Sequence, residues 1–253
     1  MISCLCVTQP DRLGLASRAI GDFARQTFAD RELVVVHDGD AAFGNALRAV
    51  AASHANMAIR IESAEPGLSL GALRNLSVRR ARGELVCQWD DDDRYHPERL
   101  AVQLGALHAH NADFCFLSDQ LHWFPNQREL YWDDWSIDPY PLDFVQGTLL
   151  GRREAMPLYP EVARGEDTEL VLQMMREQRT IVRLRDQGWV YIYVYHGANV
   201  FPQSHHAAIS QLKRYSGARL IAREGLLRQK LSEYAPGLGA VTMPWQGGAL
   251  SFG

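Results

Sequence analysis

The chain has 253 residues, nearly half of them hydrophobic, and carries a formal charge of −4 with a pI of about 6.1. That length is ample for one α/β domain or two small ones with a full core. The mild acidity gives no global case for binding nucleic acid or an anionic membrane, so any phosphate recognition must be local. The start, Met1-Ile2-Ser3-Cys4-Leu5-Cys6-Val7-Thr8, lacks the basic region of a signal peptide. No apolar run approaches the roughly 20 residues that span a bilayer. The expectation is a soluble, cytoplasmic protein whose Cys4, Cys6, Cys87 and Cys115 are reduced core residues.

In chain order, Ile2 to Val7 reads as a strand, and Leu15, Ala19, Ile20 and Phe23 recur at helical spacing up to Gln26. The run Glu32-Leu33-Val34-Val35-Val36 is continuous rather than alternating, as in a strand covered on both faces, and it ends in His37-Asp38-Gly39-Asp40. Gly44 to His54 predicts a helix, Ala58 to Glu62 a strand, Leu70 to Arg82 a helix closed by Gly83, and Glu84 to Trp89 a further strand. This alternation implies right-handed crossovers and a mostly parallel sheet with helices on both faces.

Phe114 to Ser118 is a further strand, after which Leu121 to Phe144 reads as a long irregular stretch, either functional or a large surface loop. Its Trp123, Phe124, Tyr131, Trp132 and Trp135 either form a stacking platform for a sugar or cover the core. Gly165 to Leu170 opens a helix, and Trp189 to Tyr195 is a strand that runs into His196. Ala207 to Tyr234 predicts one helix bearing Lys213, Arg214, Arg219, Arg223, Arg228 and Lys230, which either touches a membrane surface or packs its Leu and Ile face on the domain. The Gly-rich tail from Pro236 reads as a loose end or an arm.

The chemistry concentrates in Asp90 to Asp93, at the end of the Cys87 strand, where open α/β sheets bind ligands. Unit charges about 4 Å apart interact by roughly 4 kcal/mol at an effective dielectric near 20, so adjacent carboxylates in a cleft repel unless a cation sits among them. In an extended chain Asp90 and Asp92 share one face, which makes Asp-x-Asp the natural pair for Mg²⁺ or Mn²⁺ beside a phosphate. The plain alternative is a solvated acidic turn.

The order of these segments resembles the family 2 inverting glycosyltransferases of the GT-A fold, over roughly residues 1 to 202. Three blocks carry the resemblance: Cys6-Val7-Thr8 with Gln26-Thr27 and Val34-Val35-Val36-His37-Asp38-Gly39; Gly71-Ala72-Leu73-Arg74-Asn75 with Ala81-Arg82-Gly83-Glu84 and Asp90-Asp91-Asp92-Asp93-Arg94-Tyr95-His96-Pro97; and Gln146-Gly147-Thr148-Leu149-Leu150 with Arg164-Gly165-Glu166-Asp167. The resemblance implies a GT-A domain over residues 1–203, with a nucleotide-binding half to 93 and an acceptor-side half beyond it, and residues 204–253 packed on the same domain. It implies transfer of a hexose from a nucleotide-diphosphate sugar, UDP-linked, to a hydroxyl of a saccharide, lipid-linked or small-molecule acceptor. Thr8, Asp38, Arg74, Asp90, Asp91 and Gly147 then form the nucleotide-sugar site, with Thr8 and Asp38 at the nucleoside and Asp91 the variable middle position.

Asp92 would hold the metal, Mn²⁺ or Mg²⁺, with His196 either a further ligand or structural. Asp167 would be the catalytic base, and Glu166 either orients the loop or takes that role. Two departures stand out: His37 replaces an acid, and Gln9-Pro10-Asp11 replaces the usual Tyr-Asn. A catalytically silent nucleotide-sugar-binding protein is the main competing reading. A nucleotidyltransferase would need a Gly-rich loop that Thr8-Gln9-Pro10-Asp11-Arg12 lacks, and an Asp-nucleophile phosphatase would need a threonine after its acids. A homodimer stays open. The register makes Asp92→Ala more damaging to transfer than Asp91→Ala.

Overall fold

Period-two alternation sends Leu33 and Val35 into one apolar cluster and Val34 and Val36 into another, which explains the continuous apolar run. In the computed structural model, which describes residues 1–162 and 165–253, β1 (Ile2–Thr8), β2 (Arg31–His37), β3 (Ile59–Ser63) and β4 (Leu85–Gln88) are parallel. They are linked by α1 (Leu13–Ala24), α2 (Ala41–Ala52) and α3 (Leu70–Arg80). Asp40 and Ser69 cap the second and third of these helices, accepting from Phe43 N and Ala72 N. Beyond β4 come β5 (Arg94–Tyr95), α4 (Arg99–Ala109), β6 (Phe114–Leu117), β7 (Asp119–Phe124), β8 (Glu129–Asp134) and β9 (Val145–Arg152). The chain continues through α5 (Glu166–Arg176), β10 (Ile181–Leu184), β11 (Tyr191–Val194), α6 (Gln203–Lys213), α7 (Gly217–Ile221), α8 (Glu224–Ser232), β12 (Val241–Trp245) and β13 (Gly248–Phe252).

Among the described residues the strands form two sheets, ordered β10-β6-β9-β4-β1-β2-β3 and β13-β12-β8-β7-β11-β5. In the first sheet β9 alone runs against its neighbours, between β4 and β6. This is the mixed α/β architecture expected from the sequence. The four cysteines are free and buried.

Three expectations change. The stretch from Leu121 to Phe144 is largely ordered: β7 and β8 pair antiparallel around a turn in which Arg128 takes φ 55°. The pairing buries Leu121, Phe124, Leu130 and Trp132, and density in aromatics had masked that pattern. The expected single C-terminal helix is three. Arg214 leaves the helical path to bridge Asp133, and Tyr215 is buried, stacked on Trp132 with ring centroids 4.9 Å apart. Burial of that aromatic pair outweighs helical continuity. Finally, the tail is a docked hairpin. Gly247, at φ +93°, makes its tight turn, and Val241, Met243 and Phe252 lie in the same core cluster as Leu227 and Leu231.

Much of the basic charge of this region is paired within the molecule: Lys213 with Asp138, Arg219 with Asp134, Arg223 with Asp186, Arg228 with Glu224, and Lys230 with Glu98. Among the described residues no helix is long and apolar enough to cross a membrane. Because Met243 is fully buried, Met243→Ala is expected to destabilise the fold by about 2–5 kcal/mol. Thermal unfolding checks this, and an unchanged midpoint would mean that the tail is not part of the core.

Candidate active site

The four aspartates leave β4 in a turn, so the alternation of an extended chain does not apply, and each carboxylate meets a different set of partners. Asp90 accepts from Gln88 Nε2 at 2.8 Å and from Arg74 Nη2 at 3.2 Å. Asp91 is buried and accepts from the Thr8 hydroxyl at 2.6 Å and Arg12 Nη1 at 2.8 Å. Asp92 Oδ2 lies 3.1 Å from His196 Nε2 and 3.2 Å from Arg12 Nη1. Asp93 is buried against Tyr191 Oη and accepts from Val194 N at 3.0 Å.

This sorting makes the four chemically unequal. Burial, with the field of their neighbours, pushes Asp90 and Asp93 above the ordinary carboxylate range and Asp91 up to about 6. Asp92 goes the other way: burial opposes it, but the hydrogen bond to His196 and the charge of Arg12 prevail. The member held ionised is therefore the one that faces an imidazole. Beneath the cluster, the buried guanidinium of Arg99 sits 4.7 Å from the Tyr95 ring centroid and 5.4 Å from that of Tyr191. Those two tyrosines donate to the Asp90 carbonyl and to Asp93.

On the other wall, α5 starts at Gly165, whose φ of +78° needs no Cβ, and presents Glu166 and Asp167 in its first turn. Arg164, quoted in the third block, lies outside the described residues. Arg74 joins the walls. It pairs with Asp167, with Asp90 at 3.2 Å and with Glu166 at 3.2 Å. Burial raises Asp167 to about 6, against the pull of Arg74 and with help from Asp90.

Gly71 and Asn75, on either side of Arg74, are structural. A Cβ on Gly71 would stand 2.2 Å from Pro160 O, and Asn75 exchanges 2.8 Å hydrogen bonds with the Tyr159 backbone. Asn75 thus fixes a loop rather than facing the cavity.

Arg12, Arg74, Asp90 to Asp93, Glu166, Asp167 and Tyr193 line one cavity of about 390 Å³. Gly147 lines a neighbouring cavity with Asp90 and Asp167. Thr8 is buried behind Asp91. Asp38, at the end of β2, keeps a buried Oδ1 with no partner among the described residues. His37 is buried, its Nε2 3.2 Å from Ser63 Oγ. Of the aromatic group, Phe124 and Trp132 are core, while Trp135 lines the neighbouring cavity. Sequence reasoning missed Arg12, whose signal was a cation four residues past a parallel strand, and Tyr191, which looked like any strand aromatic.

Among the described residues no group of three or more His, Cys, Asp or Glu side chains is placed to hold a metal ion. Asp92 and His196 nevertheless fit one as a pair. Their donor set, a carboxylate oxygen on the cavity wall and an imidazole nitrogen beside it, suits a divalent cation, and substrate phosphates commonly complete such a shell.

A parallel sheet with one reversed strand, a second sheet beside it, and an acidic cavity between them define the GT-A fold. Residues 15–149, more than half of the chain, match the sequence model of glycosyl transferase family 2, and the chain belongs to that family. No curated protein matches it in sequence. Among solved structures, S. aureus TarS 1-349 in complex with UDP-GlcNAc superposes with a TM-score of 0.62 at 18% identity, over 92% of this chain and 66% of that one. The mannosyltransferase PcManGT from Pyrobaculum calidifontis, in complex with GDP-Man and Mn²⁺, gives 0.60 at 14% identity, over 87% of this chain and 64% of that one. A longer S. aureus TarS structure gives 0.60 at 17% identity over 82% of this chain, which spans only 42% of it. These likenesses carry the fold.

Removing the cation beside Asp167 should raise its titration midpoint. In Arg74→Gln the Asp167 carboxyl, followed by ¹³C NMR, is expected to move up by about one unit or more. An unmoved midpoint would mean that Arg74 does not act on Asp167.

Proposed function

We propose that this chain is a metal-dependent inverting glycosyltransferase that moves a hexose from a nucleotide-diphosphate sugar, UDP-linked, to an acceptor hydroxyl. The observation that carries the reading is one cavity with two acidic stations: Asp92, ionised beside His196, and Asp167, raised to about 6 beside Arg74. The neighbours solved with UDP-GlcNAc and with GDP-Man and Mn²⁺ support the donor class. The unpartnered Oδ1 of Asp38 supports a nucleoside contact at the end of β2. Thr8 acts one step back, by holding Asp91.

In this reading Asp167 takes the proton from the acceptor hydroxyl as its oxygen bonds to the anomeric carbon. The bond from that carbon to the diphosphate oxygen breaks, and the electron pair leaves with the diphosphate. A single displacement with one base inverts the anomeric centre. Asp92 and His196 would hold the divalent cation, Mn²⁺ or Mg²⁺, which when bound would neutralise charge on the leaving diphosphate. Arg12 adds a fixed positive charge to the same wall. Glu166, buried against Arg74, orients the loop. Residues 1–93 would carry the nucleotide half, 94–203 the acceptor half, with 204–253 as part of the same unit. The paired cations of the C-terminal helices give membrane contact little free charge, and nothing in the mechanism needs a second copy.

Titration calorimetry with UDP tests the donor station: Mn²⁺ is expected to strengthen binding to the wild-type protein, and Asp92→Asn to lose that enhancement. Binding indifferent to metal would overturn the cation role. At the other station, Asp167→Asn should lower transfer by about 10²- to 10⁴-fold with UDP affinity kept, whereas a silent binding protein would show no transfer to lose. Because Asp167 works only when deprotonated, wild-type transfer should fall as pH drops through about 6 and level off above it. A rate flat across that range would rule out Asp167 as the base.

A further inference from the structure

The neighbouring cavity, about 270 Å³, shares Asp90, Gln146 and Asp167 with the first. Its far wall is built by Gln120 and His122 from β7, Trp135 just after β8, and His206 from α6. Gln120, His122 and His206 are only 3%, 1% and 4% exposed. Yet Gln120 Oε1, His122 Nε2, His206 Nε2 and Trp135 Nε1 are buried without a hydrogen-bond partner among the described residues. Several unpaired polar atoms on one wall destabilise a protein unless water or a polar ligand completes them.

The His122 ring is fixed. Its Nδ1 lies 3.0 Å from Asp133 Oδ2 and 2.9 Å from Ser210 Oγ, and that hydroxyl donates to the same carboxylate oxygen at 2.9 Å. With Nδ1 held by Asp133 and Ser210, the ring is left with Nε2 buried and free to hydrogen-bond a ligand. Burial and the neighbouring histidines push His206 down to about 4, so that ring stays neutral. Trp135 and Tyr193 add aromatic faces. Aromatic surface beside fixed polar atoms suits a ring with one apolar C–H face and an edge of hydroxyls.

We propose that this cavity is the acceptor subsite, that it takes a pyranoside, and that His122, locked by Asp133 and Ser210, is the specificity-determining residue whose Nε2 hydrogen-bonds an acceptor hydroxyl. The assignment rests on the reading of Asp167 as the base, which borders both cavities and so meets a hydroxyl of a ring seated here.

The test uses the full chain labelled with ¹⁵N-histidine, titrated with the methyl pyranosides of glucose, galactose and mannose and, separately, with cyclohexanol. At least one pyranoside is expected to shift the His122 Nε2 resonance, and cyclohexanol, with the same ring size and a single hydroxyl, is not. His122→Phe should weaken that pyranoside about tenfold or more, and Trp135→Ala, which leaves the buried Asp133 network intact, should weaken it as well. UDP affinity, measured in parallel, certifies that each variant is folded. No shift with any pyranoside, an equal response to cyclohexanol, or unchanged pyranoside affinity in a folded His122→Phe would overturn the proposal. Failure of the donor reading looks different: the wild-type protein would not bind UDP.

Discussion

Four adjacent carboxylates cannot remain equally charged at the edge of a sheet, and the architecture around the site can be read as the means of separating them. The turn after β4 points each acid at a different element: Asp90 at α3, Asp91 at the start of the chain, Asp92 at the segment after β11, and Asp93 at β11 itself. Three of them are driven toward protonation, and one is kept as an anion. A low-dielectric setting enforces that choice because it strengthens repulsion and attraction alike. Arg99 contributes from below without a direct bond to any of the four, through the rings it stacks on.

The second sheet supplies what the first lacks. The parallel strands of the first sheet bring short acids to the crevice, while their one terminal imidazole, His37, turns to Ser63; β11 carries Tyr191 to Asp93 and leads to His196 beside Asp92. The hairpin β7–β8, with α6 behind it, extends the crevice sideways into the neighbouring cavity. The C-terminal segments brace this assembly: Tyr234 donates to Trp189 O at 2.8 Å, and Arg94 is held between Asp22 and Pro236 O.

Much of this was legible in the sequence because it is local. The parallel half follows from continuous β-branched runs and helix caps, and the acidic stations from the tetrad and Glu166-Asp167 standing in the right order. What stayed hidden depended on distance. Nothing near Thr8 announces that its hydroxyl is given to Asp91, 83 positions on. The break after Lys213 arises from Tyr215 stacking on Trp132, a tertiary pair that helical periodicity cannot register. The tail looked unattached because glycine suggests looseness; its glycines instead form the turn that lets Met243 and Phe252 reach the core. Asp91, read as the variable member, accepts from both Thr8 and Arg12.

Arg74 touches acids on both walls, so its positive charge is a shared resource. Negative charge arriving beside Asp90 draws on the same guanidinium that restrains the basicity of Asp167. The two walls are thereby coupled electrostatically through a single buried cation. In the proposed reading, a diphosphate beside Asp90 would leave Asp167 a stronger proton acceptor than it is in the empty cavity.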